Sequence, residues 1–153
     1  MRPLRAYLLR LGGDLALADD VLQETYIRYL GMEPARRQEF PERPLLFRIA
    51  TNLMYDHFRR RQRDERALRG LWPFASDERP RALEGGDVTR AFATLKERER
   101  ALLWLAYVEE WRHDEMASCL GVRPGSVRVL LFRAKSALAR LLRKRGLGPK
   151  ETS

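Results

Sequence analysis

Apolar residues recur every three or four positions along most of this chain, and no segment alternates apolar and polar residues as a β-strand would. The clearest run lies near the C-terminus, where five side chains follow one another at helical spacing: Val127, Leu131, Ala134, Leu138 and Leu141. Because one helical turn takes 3.6 residues, these side chains share one face of a long helix. The pattern predicts an all-α fold.

The same periodicity predicts three helices in the first part of the chain. The first contains Leu4, Leu8, Leu11 and Leu15, and Gly12-Gly13 should end or bend it. The second is expected from about 17 to 30, with Gly31 as its C-terminal stop. Four of its residues share one side: Ala18, Leu22, Thr25 and Tyr29.

The third helix is expected from 44 to about 66, after a loop at 31–43 that contains two prolines. Pro44 suits its first turn, because proline lacks the N–H that the start of a helix leaves unpaired. Four residues of this helix recur at helical spacing: Leu46, Ile49, Leu53 and His57.

Residues 67–86 lose the periodicity and gather glycine, proline and serine, which is typical of a linker. They separate a domain at 1–66 from one at 87–145, which is followed by a tail at 146–153. We therefore expect two small helical domains joined by a flexible linker.

The second domain has the pattern of a helix-turn-helix. Asp87 is expected to cap a short helix from Val88, and further helices are expected near 96–110, 113–120 and 124–145. Gly121 permits a sharp turn between the last two, and the final helix is basic on its outer side. A basic helix of this kind fits the DNA major groove. The alternative to a helix-turn-helix is an ordinary three-helix bundle with a charged exterior. The outward positions are Ser126, Arg128, Val129, Leu130, Phe132, Arg133 and Lys135.

The charge distribution also favours a polyanionic partner. Lys and Arg number 30 against 21 Asp and Glu, giving a net charge of +9. Basic residues concentrate in 121–153 and in a second cluster: Arg59, Arg60, Arg61, Arg63 and Arg66. Two separated basic centres suggest two anion contacts, although a solvated tail and a solvated helix end are the alternative.

Composition excludes several other classes of protein. No apolar run approaches the roughly 18–20 residues of a membrane span, so no membrane insertion is expected, and the N-terminus lacks the pattern of a secretory signal. One cysteine excludes an internal disulfide, and His57 and His113 are too few for a structural zinc site. We expect no metal and no cofactor.

Three segments resemble the extracytoplasmic-function group of bacterial RNA polymerase sigma factors. LALADDVLQETYIRYL is similar to the region 2 segment that docks on the core enzyme, and LLFRIATNLMYDHFRRRQR to the segment that melts and reads the minus-10 element. The stretch from Glu97 to Leu138 resembles region 4, which recognises the minus-35 element. The three lie in order and cover roughly 4–66 and 88–142.

The resemblance implies a cytoplasmic promoter-specificity subunit that binds core RNA polymerase, through its β′ clamp and β flap, and promoter DNA. The resemblance also allows an anti-sigma factor as a further partner. The docking face for the β′ clamp would comprise Asp20, Gln23, Glu24 and Arg28. From the residues alone, this helix is expected to carry a stripe of mixed acidic and apolar side chains that suits a partner helix: Asp20, Gln23, Glu24 and Ile27. The alternative is a face that only caps the helix and contacts solvent.

The resemblance also assigns DNA contacts. Those to the minus-10 element would come from Arg48, Asn52, Tyr55, Asp56, Arg59 and Arg60, and the loop at 31–43 would capture a flipped base. Tyr55 and Phe58 could equally belong to the core. Those to the minus-35 element would come from Ser126, Arg128, Val129, Leu130, Arg133 and Lys135. The chain departs from the family at Arg112, where a capping Ser or Thr is common, and in its short first helix.

Two other functions compete with this interpretation. A stand-alone helix-turn-helix regulator would use the same C-terminal motif, with residues 1–66 for sensing or dimerisation. A nucleic-acid enzyme would need Asp56-His57, or Cys119 with His113, as its catalytic pair. Neighbouring residues on a helix point about 100° apart, and Cys119 lacks a positioned base, so we expect no enzymatic activity.

Overall fold

The computed structural model describes residues 2–71 and 86–146, which contain helices and no strand. We call these two ranges the first half and the second half. The first half consists of α1 (Arg2–Gly12), α2 (Leu15–Gly31), α3 (Pro34–Arg37) and α4 (Glu42–Leu71). The second half consists of α5 (Asp87–Thr94), α6 (Glu97–Leu103), a π-helical turn (Trp104–Val108), α7 (His113–Leu120) and α8 (Pro124–Lys144). No helix in these ranges combines the length and apolarity needed to cross a bilayer.

The turn between α1 and α2 follows the prediction. Gly12 ends α1, and Gly13 adopts φ +70°, a conformation that favours glycine. The Asp14 carboxylate then accepts hydrogen bonds from the backbone N–H groups of Ala16 (2.9 Å) and Leu17 (3.3 Å), which caps α2. Leu15 therefore belongs to the next helix, and it is exposed.

Helix α4 is longer than predicted and turns a different face inward. It extends through 67–71, which the sequence had assigned to the linker; the rest of that linker, 72–85, lies outside the described residues. Ile49 and Leu53 are only half-buried and His57 is exposed. The buried face is shifted because α4 packs on α1 and α2 on one side and on α7 on the other. Its fully buried side chains include Phe47, Ala50, Thr51 and Met54.

The second half forms the predicted helix-turn-helix with two local differences. Asp87 lies in the first turn of α5, with Gly86 at the cap position, so its carboxylate meets the positive helix end and does not cap it. Arg112 precedes α7 without a capping side chain, and Glu115 Oε1 accepts the Arg112 N–H instead (3.2 Å). Gly121 makes the expected sharp turn with φ +66°.

The two halves pack against each other around one continuous core. Helix α1 contacts α6, and α4 contacts α7. Three aromatic rings connect the halves: Tyr7 and Phe47 lie 5.1 Å apart between centroids, and Phe47 and Trp111 lie 4.8 Å apart. The sequence had indicated two domains free to contact separate sites, and it gave no sign of this packing.

Candidate nucleic-acid interface

The predicted docking stripe is an exposed face of α2. Asp20, Gln23 and Ile27 are exposed, and Ile27 presents 58% of its surface although it is strongly apolar. Glu24 is half-buried and accepts a hydrogen bond from Arg28 Nε at 3.1 Å, one turn further along the helix. An exposed isoleucine between acidic and amide groups suits a partner surface that is both apolar and basic.

A hollow of about 350 Å³ between α2 and α4 joins two of the predicted sets. Asp20, Glu24 and Arg28 line it from α2, and Asp56 and Arg60 line it from α4. Side chains assigned to the polymerase and side chains assigned to the minus-10 strand therefore border one cavity.

The predicted minus-10 set on α4 falls into an exposed and a covered part. Asn52, Arg59 and Arg60 are exposed, and Arg59 pairs with Asp56. Arg48 and Tyr55 are half-buried. Burial raises the pKa of Tyr55 above its ordinary value, and the nearby Cys119 adds to the rise.

The residues predicted to contact the minus-35 element lie along α8. Two of them, Leu130 and Lys135, differ from the prediction. Arg128, Val129 and Arg133 are exposed, as expected for a helix that enters a groove. Leu130 is half-buried against the core, so it is not an outward residue as predicted. Lys135 is exposed but lies with its ammonium 5.0 Å from the centre of the Tyr107 ring, a cation–π contact on the other flank.

A groove of about 610 Å³ runs between α5, the π-helical turn and α8, and sequence reasoning missed it. Phe92, Trp104 and Tyr107 line it, and the Trp104 indole N–H is buried without a hydrogen-bond partner in the described residues. Exposed Val88 and Val108 stand at its rim. The available signal was that apolar side chains of α8 continue beyond the buried Val127, Leu131 and Ala134; those that line the groove are Leu138, Ala139 and Leu142.

The segment 31–43, predicted as a loop, contains the short helix α3 and the first residues of α4. Its Arg37 guanidinium lies 5.4 Å from the centre of the Tyr29 ring. Phe40 is exposed by 39%, so an aromatic face is available in this segment.

The side chains considered for catalysis lack a catalytic arrangement. Cys119 is 1% exposed, and burial raises its pKa to about 12, so the thiol is protonated at neutral pH. Asp56 is paired with Arg59, while His57 is exposed on the same helix. Within 2–71 and 86–146, no three His, Cys, Asp or Glu side chains come together as a metal site would require.

Comparison with known proteins decides the family. Residues 1–64 match the model of sigma-70 region 2, and residues 86–138 match that of sigma-70 region 4. The ECF RNA polymerase sigma factor SigL of Mycobacterium tuberculosis is 33% identical over 149 residues, which cover 92% of this chain and 83% of that protein. The chain belongs to the extracytoplasmic-function sigma factors.

Other relatives extend this result to distant bacteria. The sigma factor EcfG of Rhodopseudomonas palustris is 28% identical over 97% of this chain and 86% of its own, and SigM of Bacillus subtilis is 25% identical over 92% and 89%. Among solved structures, the sigma factor RpoE of Bartonella quintana, in complex with the anti-sigma factor NepR, matches with a TM-score of 0.67 at 22% identity. That match covers 92% of this chain and 89% of RpoE, and it shows the fold.

The predicted family, fold class and function are thereby confirmed. This sigma factor is all-helical, with region 2 and region 4 domains in that order, and it serves transcription initiation with core RNA polymerase and promoter DNA. The stand-alone regulator is excluded because a region 2 domain accounts for the first half.

Proposed function

We propose that α2 holds the β′ clamp of core RNA polymerase, α4 reads the minus-10 element and α8 reads the minus-35 element. The hollow between α2 and α4 carries the proposal, because Asp20, Glu24 and Arg28 stand opposite Asp56 and Arg60 across it. A promoter strand that follows α4 would thus run directly beside the polymerase. Residues 2–71 would form the docking and minus-10 domain, and residues 86–146 the minus-35 domain.

On α4, the proposed division of labour follows from the side chains. Arg59 and Arg60 are exposed cations suited to phosphates, and Asn52 is an exposed amide suited to a base edge. Tyr55 supplies an aromatic face on which an unstacked base can stack.

On α8, the exposed side chains separate into two directions. Arg133 and Val129 point away from the buried stripe, so we assign base contacts to them; Val129 can meet a thymine methyl group. Arg128 and Lys135 lie seven residues apart and nearly in line, which suits one phosphate strand. Ser126 stands at the start of the helix, where side chains reach the groove first.

We assign the β flap to the apolar groove lined by Phe92, Trp104 and Tyr107. A helix of the flap would cover this aromatic surface, and a polar group on it could accept the unpartnered Trp104 N–H. Arg128, Val129 and Arg133 do not line the groove, so flap and DNA could bind together, with Lys135 at the border between them.

We further propose that the protein acts in the cytoplasm, where the polymerase works, and without catalytic chemistry of its own. The buried, protonated Cys119 and the paired Asp56 support the second point. Bartonella RpoE is solved with an anti-sigma factor, and we include a regulatory protein of that class among the proposed partners.

The docking assignment is tested by the double variant Gln23→Ala/Glu24→Lys. Both side chains lie outside the buried face of α2, so the fold should persist while the stripe loses one of its two acidic groups and gains a positive charge. We expect the variant to fail to co-purify with core polymerase. The matched control is Gln38→Ala/Glu39→Lys, the same two changes at an exposed neighbouring pair, which should bind core like the wild type.

Circular dichroism and thermal unfolding should show that both double variants are folded. Wild-type affinity of Gln23→Ala/Glu24→Lys for core polymerase would contradict the assignment of α2 to the clamp. Equal loss in both variants would mean that added positive charge, and not the α2 stripe, weakens the complex.

A further inference from the structure

A strongly basic hollow lies apart from the surfaces proposed to bind the clamp and the promoter. It has a volume of about 960 Å³ and is enclosed by the end of α1, the later turns of α4, the junction of α5 and α6, and the residue that follows α8. We call it the basic cleft. None of the residues assigned to the β′ clamp or to promoter DNA lines it.

Cationic side chains from several helices converge on the basic cleft. Among the described residues that line it, six are arginines and one is Lys96, whereas two are acidic, Glu65 and Glu97. Glu65 pairs with one of these arginines, Arg61, at 3.5 Å. The cations come from α1, α4, α5, α6 and the end of α8, so the fold brings them together. A concave site lined by one sign of charge focuses the electric field and attracts small ions of the opposite sign.

The hollow between α2 and α4 shows that this charge is more than the average of a basic chain. Three acidic side chains line that hollow, from Asp20, Glu24 and Asp56, and two arginines stand among them, Arg28 and Arg60. Positive and negative groups nearly balance there, so an anion gains little. The basic cleft has an excess of five positive charges.

Arg100 forms the inner wall of the basic cleft and is the feature that points to a ligand. It is 9% exposed, and its hydrogen bonds within the described residues go to backbone carbonyls: Nε and Nη2 donate to Leu11, and Nη1 donates to Ala93 and Leu95. Burial lowers the pKa of Arg100 from its ordinary value, although the charge of Glu97 opposes the shift. A buried cation without a carboxylate partner is costly, and a bound anion would offset that cost.

The guanidinium of Arg100 keeps one donor for such an anion. It has five N–H groups, and its four hydrogen bonds use Nε–H, both hydrogens of Nη1 and one hydrogen of Nη2. The other N–H of Nη2 can donate to an oxygen of a ligand. Because the four hydrogen bonds already fix the guanidinium, binding costs little side-chain freedom.

We propose that the basic cleft is a binding site for a compact polyphosphate, either free or as the phosphate chain of a nucleotide. Arginine suits this ligand, because its planar guanidinium can meet two phosphate oxygens at once. The volume falls within the roughly 300–1,000 Å³ of small-molecule sites and exceeds what a single phosphate fills. The proposal is independent of the roles proposed for α2, α4 and α8.

A nucleic-acid backbone fits the basic cleft less well. A duplex carries its phosphates on a convex outer surface, which can meet exposed side chains such as Arg90 and Arg145. It cannot bring a phosphate to Arg100, which is nine-tenths covered. Adjacent phosphates also concentrate more charge in the same volume than a strand in which a sugar separates one phosphate from the next.

The test measures binding of inorganic triphosphate to the full chain by isothermal titration calorimetry, at constant ionic strength and without divalent cations. Arg90→Gln/Arg145→Gln removes two exposed cations of the basic cleft. The matched control, Arg63→Gln/Arg140→Gln, removes two exposed cations that do not line it and lowers the net charge equally. We expect the first variant to weaken triphosphate binding at least about tenfold and the control to change it less than about twofold.

Circular dichroism should show that both double variants are folded, because all four side chains are exposed. Equal loss of affinity in the two variants would mean that net charge alone attracts the anion, and it would overturn the proposal. A wild-type chain that does not bind triphosphate at millimolar concentration would overturn it as well.

Three further ligands define the chemistry of the site. Orthophosphate should bind at least about tenfold more weakly than triphosphate, since it can meet fewer of the cations, and equal affinity would contradict a polyphosphate site. ATP distinguishes the sources: tighter binding than triphosphate supports a nucleotide, whereas equal or weaker binding supports recognition of the phosphate chain alone. The last ligand is a short single-stranded oligonucleotide. If Arg90→Gln/Arg145→Gln weakens its binding more than that of triphosphate, a nucleic-acid backbone occupies the cleft and the proposal fails.

Discussion

The two helices proposed to contact DNA differ in how freely they present their side chains. On α8, Arg128, Val129 and Arg133 are exposed, because the helix buries one stripe and leaves the opposite side open. On α4, Arg48 and Tyr55 are half-buried, because the helix lies between α1 and α2 on one side and α7 on the other. A helix that packs on one side only keeps its proposed DNA-binding face exposed. A helix that lies between the two halves has part of that face covered.

The largest expected effect contrasts an aromatic side chain packed between the two halves with one on the open face of α8. Trp111→Ala should lower the free energy of unfolding by about 3–5 kcal/mol, because Trp111 is buried and packs on Phe47. Phe132→Ala should change it by less than about 0.5 kcal/mol, because Phe132 is 69% exposed. Urea unfolding followed by circular dichroism measures both; similar losses would contradict the described difference in packing.

The next effect concerns the open helix alone. Arg133→Ala should cost about 1–3 kcal/mol in promoter binding and relax the preference at one minus-35 position, if Arg133 contacts a base. Arg128→Ala should weaken binding to every minus-35 sequence by a similar factor, because a phosphate contact carries no sequence information. Selection from randomised minus-35 sequences by each mutant holoenzyme separates the two. The reverse assignment would mean that α8 lies differently in the groove.

A smaller effect is expected on the covered helix. Tyr55→Phe removes an enclosed hydroxyl that has no partner in the described part of the chain, so the free energy of unfolding should stay equal or rise by up to ~1 kcal/mol. The phenylalanine ring can still stack on a base, so runoff transcription should largely persist. A loss of stability above ~1 kcal/mol would show that the hydroxyl is hydrogen-bonded in the folded chain.

The buried thiol should affect stability only at high pH. Burial raises the pKa of Cys119 from 9.0 to about 12, so its contribution is complete below pH 9 and is lost as the pH rises towards 12. Cys119→Ala should therefore reduce the loss of stability between these values. Equal alkaline profiles of wild type and variant, measured by urea unfolding, would indicate that Cys119 is not enclosed.

Local structure and family were predictable from the sequence, because the signals lie within short segments. The Gly12-Gly13 end of α1, the Gly121 turn and the buried stripe of α8 all follow from neighbours along the chain. The buried face of α4 was not predictable, because it depends on α7, which lies more than forty residues away along the chain. Arg100 illustrates the limit: its bonds to Leu11 join residues 89 positions apart, and no pattern in the sequence indicates them.

Cys119 is the only cysteine of the chain, and it provides the most direct test of the closed arrangement. In the free sigma factor it is 1% exposed and lies against Thr51, on the side where the halves meet. The measurement is its rate of modification by a thiol reagent, followed by mass spectrometry of the sigma chain, in buffer and in a concentration of urea that unfolds the chain. We expect slow modification of the folded chain and fast modification of the unfolded chain; equal rates in the two states would contradict the burial of Cys119 where the two halves meet.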